Sequence, residues 1–367
     1  MKPPPVFAWI TGETTNIGDS LLRRPYVAAL SQIGPTELWV RRASADFLTG
    51  LDVPAGVRVT HSFLGWYARL LKSALSRRTV LALNAGEVRV RPAIAGLMFA
   101  LGVGVSLVRL RGGIAVWLGG TVPASDRTEL LAPYRWVARR TALQVWREAG
   151  PSVRIVPGEV APDWAFATGS LRSDWAGEAS RTSIAFVVRG DRDYPSAEWL
   201  SWARRLIATR SMLPIAVVQV EADRDVARRL ANDLGGEVLN WDPGVSHAAQ
   251  EKLVRELYQR CLIVIGDRLH GLVLGATEGA IPLGWVEASR GKIAAHFDAA
   301  GLEFVGKFEG KKFEDAPDLS AEDLTQLAQV TAAGIDANRV QLAELTVRLA
   351  QVANHVSSQN QNSAALV

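Results

Sequence analysis

One cysteine, three methionines and seven lysines among 367 residues set the first limits. A lone Cys261 excludes an internal disulfide and fits a reducing compartment. The five histidines make no Cys/His cluster and no HExxH pair, and no EF-hand loop or G-x-S-x-G elbow is present. Metal and acyl-enzyme chemistry therefore have nothing to stand on, and neither metal nor cofactor is expected. No run of five basic residues occurs, which leaves nucleic acid without a footprint. The opening Met1-Lys2-Pro3-Pro4-Pro5-Val6 puts prolines where an export signal needs an apolar helix. The most apolar stretch, Ala93 to Val108, is too short to span a bilayer and reads as a buried helix followed by a strand. A cytoplasmic protein is expected.

What remains is an ordinary globular composition, 48% apolar and 21% charged. Basic residues exceed acidic ones by four (41 − 37), and 34 of the 41 are arginine. Guanidinium groups bind oxyanions through a two-pronged fork, which suits anionic ligands, although a general bias toward arginine is the better account of the total.

The second half is the more legible. Apolar runs Ile184–Val188, Ile215–Val220, Glu237–Leu239, Leu262–Ile265 and Ile281–Val286 alternate with segments of helical spacing. Those segments are 196–210, 223–234, 246–260, 272–278 and 290–300. Strict β-α alternation predicts a parallel, doubly wound sheet. The first half alternates less cleanly: strands at Val6–Ile10, Thr36–Val40 and Thr79–Leu83, helices over 19–30 and 92–101, and β-like runs at Gly104–Leu110 and Ile114–Leu118. The expected fold is α/β: two Rossmann-like domains facing a cleft, with a C-terminal helical tail. The first domain takes residues 1–170, a linker 171–182 and the second domain 183–306. Residues 307–367 make a polar loop, a helix from Ala321 to about Val356, and a disordered end over Ser357–Ala365.

If the second sheet has the order 3-2-1-4-5, its first and fourth strands flank the topological switch point, where ligands of such sheets bind. Arg189 ends the first of these strands, while Asp267, Arg268 and His270 follow the fourth. Two guanidinium groups and an imidazole thus converge on one crevice, beside the amides of a helix start. Each arginine alone has an ordinary explanation in pairing with Asp191, Asp193 or Asp267; the convergence favours an anion site. Thr14-Thr15-Asn16-Ile17-Gly18-Asp19 suits a tight turn with Asp19 as helix cap, and from the first domain Asp19 can orient or deprotonate a hydroxyl. Gly119 and Gly120, after a strand, permit close approach of a ligand or of backbone. Asn84-Ala85-Gly86-Glu87 also ends a strand, and Glu287 and Glu221 lie at strand ends of the second half.

Taken together, Asn16-Ile17-Gly18-Asp19, Gly119-Gly120 to Pro123, Pro162-Asp163-Trp164-Ala165-Phe166, Val187-Val188-Arg189 and Asp267-Arg268-Leu269-His270-Gly271, with Gly279-Ala280-Ile281-Pro282 after it, resemble the polysaccharide pyruvyl transferase family. The resemblance spans residues 6 to 300. It implies a GT-B-like fold and transfer of the enolpyruvyl carbons of phosphoenolpyruvate onto two hydroxyls of a sugar, forming a ketal and releasing phosphate. It assigns donor binding to Arg268 and Arg189, and gives His270 the role of general acid to the methylene carbon or of stabilising the cation that results. The acceptor would be a sugar of a surface polysaccharide or a lipid-linked oligosaccharide, with peripheral membrane contact and oligomeric state left open. The chain departs from the family at Asn84–Glu87 and at Trp146-Arg147-Glu148-Ala149-Gly150, both in the half expected to bind acceptor. Two alternatives stand beside this reading: a GT-B nucleotide-sugar glycosyltransferase, with Glu287 near the ribose, and a non-catalytic relative that binds an acidic glycan.

Overall fold

In a computed structural model, which describes residues 2–287, 291–313 and 316–364, the chain forms two compact α/β units. One comprises residues 1–13, 22–164 and 341–367, the other residues 14–21 and 165–340. Each is built on its own parallel sheet.

The strands of the first unit are β1 (Val6–Trp9), β2 (Thr36–Trp39), β3 (Arg58–Thr60), β4 (Val80–Ala82), β5 (Gly86–Glu87), β6 (Ile114–Thr121), β7 (Leu143–Trp146) and β8 (Glu159–Val160). They lie in the order β3-β2-β1-β4-β6-β7-β8, with β5 alongside β6. The central strands are buried end to end, so both faces are covered and their sequences read as unbroken apolar runs rather than alternating ones. Trp66, Leu70, Met98, Leu101, Val105 and Trp117 fill one core cluster beneath the helices Phe63–Ser76 and Pro92–Leu110.

Helix Pro92–Leu110 corrects one expectation, because the β-like run Gly104–Leu110 is its last two turns. Two glycines made this segment look like a break. Both are there for packing: a methyl group at Gly102 would lie 2.5 Å from the Trp136 ring, and one at Gly104 3.3 Å from Tyr67. The expected helix over 19–30 is likewise two, Ile17–Leu21 and Arg23–Ser31.

The second unit carries β9 (Ser183–Val187), β10 (Leu213–Val217), β11 (Glu237–Leu239), β12 (Cys261–Gly266) and β13 (Ile281–Leu283) in the order β11-β10-β9-β12-β13. This is the 3-2-1-4-5 order on which the switch-point argument depends, and it sets β9 against β12. Residues 171–182 are not a bare linker. They make two 3-10 turns, Arg172–Asp174 and Glu178–Ser180. Beyond them the buried Arg181 donates to the carbonyls of Tyr258 (3.2 Å), Cys261 (2.8 Å) and Glu278 (2.8 Å). The closing helix runs Ala321–Ala364, past the end near Val356 read from sequence; Ala365 and Arg290 lie outside the described residues.

Candidate functional site

The carboxyl edge of the second sheet collects most of the residues singled out in the sequence. β9 runs out into Val188-Arg189-Gly190, and β12 into Asp267-Arg268-Leu269-His270 at the start of helix Leu269–Thr277. Two glycines, one ending β12 and one in the helix that follows, keep the layers tight. A methyl group at Gly266 would sit 2.1 Å from the Val187 carbonyl, and one at Gly271 2.7 Å from Oε1 of Gln219. Neither position admits a side chain.

Two buried carboxylates brace the loops. Asp267 accepts from the backbone N–H of Arg189 (2.8 Å) and from Arg192 (3.0 Å). Burial pushes its carboxyl up, against the pull of Arg192 and that backbone bond. Asp223 accepts from the backbone N–H of Gly190 at 2.8 Å and from both prongs of the Arg268 fork, Nε at 2.6 Å. Arg189 in turn forks onto Asp191 at 2.8 and 2.7 Å, which holds that carboxyl down to about 2. Three arginines thus face three aspartates. The edge is a charge-balanced lattice rather than an open cationic socket, which the spacing of residues in sequence could not reveal. The two expected donor ligands differ within it: Arg268 is clamped on a buried partner, whereas the partner of Arg189 is largely exposed.

His270 is buried, and what it packs against comes from the other end of the chain. A methyl group at Gly18 would lie 2.4 Å from Nδ1 of His270 and 2.6 Å from its Cβ, so glycine is required there. Asn16 fixes this approach. Its Oδ1 accepts from the N–H of Gly18 (3.0 Å) and from Gln219 (3.3 Å), and its backbone forms an antiparallel bridge with Val220. Glu221 N–H donates to the Thr15 carbonyl at 3.3 Å. Ser20 and His247, both buried, hydrogen-bond at 2.6 Å, a pairing that nothing in their sequence context signals. Residues 14–21 are therefore part of the second unit. Asp19 was placed on the first domain from sequence; it sits half-buried in a five-residue helix of the second.

Other candidates have packing or bracing partners within the fold. Gly119 and Gly120 make room for tryptophans: methyl groups there would lie 2.6 Å from Trp164 and 2.2 Å from Nε1 of Trp117. Glu287 accepts from the N–H and hydroxyl of Ser196 (3.0 and 2.8 Å), bracing the start of helix Ala197–Arg210. At the carboxyl edge of the first sheet, Asn84 exchanges hydrogen bonds with the backbone of Thr11 and accepts from the buried Arg23 at 3.3 Å. Arg147, in the segment that departs from the family, forms a buried ion pair with Asp163 at 2.6 Å and reaches Thr121 at 2.8 Å. Its neighbour Glu148 accepts from Gly150 and Ser152 at the start of helix Pro151–Ile155.

No protein-family model matches the chain, and no curated protein matches it in sequence. Solved structures do resemble it in fold. A glycosyltransferase from Rickettsia africae shares 8% identity over 98% of this chain and 100% of its own, with a TM-score of 0.55. A Listeria monocytogenes protein described as a UDP-N-acetylglucosamine 2-epimerase shares 12% over 98% of each chain, at 0.56. The S. aureus MnaA–UDP structure shares 10% over 100% of this chain and 98% of its own, at 0.53. At such identities the likeness is one of fold, and the fold is GT-B-like: two Rossmann-type α/β units in one chain.

Proposed function

We propose that the chain is a sugar-directed transferase whose anionic donor is held at the carboxyl edge of the second sheet. The observation that carries this is the packing of Gly18 on His270, which joins Asn16–Asp19 to Asp267–Gly271 at the switch point. Two segments far apart in sequence, each quoted for the pyruvyl transferase resemblance, are neighbours in space.

The donor we infer is phosphoenolpyruvate. Arg189 exchanges its exposed Asp191 partner for a ligand oxyanion, and Arg268, clamped by Asp223, offers its remaining N–H donors. His270 gives a proton to the methylene carbon of the enol. The adjacent carbon becomes cationic and one sugar hydroxyl adds to it, losing its proton to a base. Phosphate then departs, carrying away one proton. The second hydroxyl adds to the carbon it vacates and gives up its proton in turn, so that one of the two hydroxyl protons restores His270. Asp19 orients or deprotonates a hydroxyl.

A nucleotide-sugar donor is the second reading, favoured by fold likeness, since one similar structure contains UDP. On fold likeness alone it is the better supported of the two. Against it stands Glu287, the residue expected at a ribose, whose carboxylate is occupied at the start of helix Ala197–Arg210.

Thermal unfolding with phosphoenolpyruvate, UDP and UDP-sugars, on the natural chain and on Arg189→Ala, separates the readings. A ligand at a hundredfold its Kd adds about 2.7 kcal/mol. Stabilisation by phosphoenolpyruvate alone, lost in Arg189→Ala, is the expected result. Stabilisation by UDP compounds alone would establish the second reading, and no response to any of them would overturn the transferase proposal.

A further inference from the structure

Between Asp52 and Asp126 the chain has a single acidic residue, Glu87, against nine basic ones: Arg58, Arg69, Lys72, Arg77, Arg78, Arg89, Arg91, Arg109 and Arg111. The same stretch holds the two helices that cover one face of the first sheet, Phe63–Ser76 and Pro92–Leu110. Their inner sides are core. Their outer sides are apolar as well: Leu64 is 77% exposed and Leu75 54% on one helix, and Phe99 is 59%, Val103 44% and Leu110 80% on the other. The spacings 64-75 and 99-103-110 keep each set on one stripe of its helix. An outward stripe of this kind is costly in water and marks an interaction surface.

The ends of the longer helix are basic. Arg91 precedes its first residue, and Arg109 and Arg111 lie at its end. Arg139 and Arg140 follow helix Ala132–Ala138, and the Arg140 guanidinium lies 5.6 Å from the Trp136 ring, which itself packs on Phe99 at 5.4 Å. Among the described residues, none of these five arginines is ion-paired with a carboxylate. Helix Pro92–Leu110 is long and apolar enough to cross a bilayer, but seven of its residues are buried in the first unit. A helix anchored in the core along one side has only its outer side to offer to a partner.

We propose that this face docks on an anionic lipid surface. Phe99, Val103, Leu110 and Leu64 enter the headgroup–acyl boundary, while Arg91, Arg109, Arg111, Arg139 and Arg140 engage headgroup phosphates. A second protein molecule would cover the apolar stripe equally well, but one built like this chain would bring the same excess of positive charge. The charge selects the lipid.

The test is co-sedimentation of the full chain with phosphatidylcholine vesicles, with and without a phosphatidylglycerol fraction. Two variants are compared, Phe99→Ser/Leu110→Ser and Arg109→Glu/Arg111→Glu; all four positions are solvent-facing, and thermal unfolding verifies that both variants fold. Binding to the anionic vesicles is expected, weakened on the order of 10- to 100-fold in the arginine variant and by added salt, and lost in the apolar variant. Three results would each overturn the proposal: no binding to anionic vesicles, equal binding by the variants, or a concentration-dependent dimer in solution that Phe99→Ser/Leu110→Ser dissolves. The inference stands whichever donor the second unit takes.

Discussion

His270 and Gly18 show how a single missing side chain positions a buried imidazole. Gly18→Ala inserts a methyl group 2.4 Å from the imidazole, and the ring must move. We expect a stability loss of about 1–3 kcal/mol with a larger fall in kcat than in donor affinity, read from urea melts and steady-state kinetics. His270→Ala should abolish turnover while donor binding by calorimetry persists. Arg268→Ala leaves the Asp223 carboxylate buried without its fork, so it should cost roughly 3–5 kcal/mol; Arg189→Ala, which strands only an exposed aspartate, should cost under about 1 kcal/mol. Denaturant melts of the two variants rank them. That Arg189, Arg268 and His270 follow neighbouring strand ends of one sheet was legible in the sequence, because β-α alternation fixes where such residues go. Their aspartate partners were not assigned, because several carboxylates lay within reach and only the folded loops choose among them. Cys261 is sealed in β12, where burial pushes its thiol up to about 12. It should resist alkylation at pH 8 in the folded protein and react in denaturant, as mass spectrometry would show.

At the scale of elements, apolar runs bounded by turns predicted nearly every strand of the second sheet, since buried parallel strands advertise themselves. Helix Pro92–Leu110 was misread in its second half for a physical reason. A helix that is apolar on both its core side and its outer side shows no 3.6-residue period, and its glycines imitate a turn. Gly102→Ala there sets two effects against each other. Alanine favours a helix by about 1 kcal/mol, but its methyl group meets the Trp136 ring at 2.5 Å. Overpacking of about 1–3 kcal/mol should win, giving a net loss of stability in a chemical melt.

For the whole molecule, the units exchange short segments that strand and turn patterns do not mark: residues 14–21 belong to the second unit and residues 341–367 to the first. The closing helix buries Leu324, Ala332 and Ile335 in its earlier part, which belongs to the second unit. Leu342, Leu345, Leu349 and Ala353 are buried in the part that belongs to the first. Each leucine lost from such a site costs about 2–5 kcal/mol. A chain ending at Val340 should therefore unfold at a markedly lower temperature than the full chain, as calorimetry would show.

Residues 14–21 carry a consequence for synthesis. Asn16 meets Gln219 across 203 residues, and Ser20 meets His247 across 227. Ribosomes add roughly 5–20 residues per second, so this piece emerges on the order of 10–40 s before its partners exist. Until then the turn that presses on His270 has nothing to press against. The packing at this edge cannot form until His270 and Gly271 have been made, and no fragment that stops short of them can possess it.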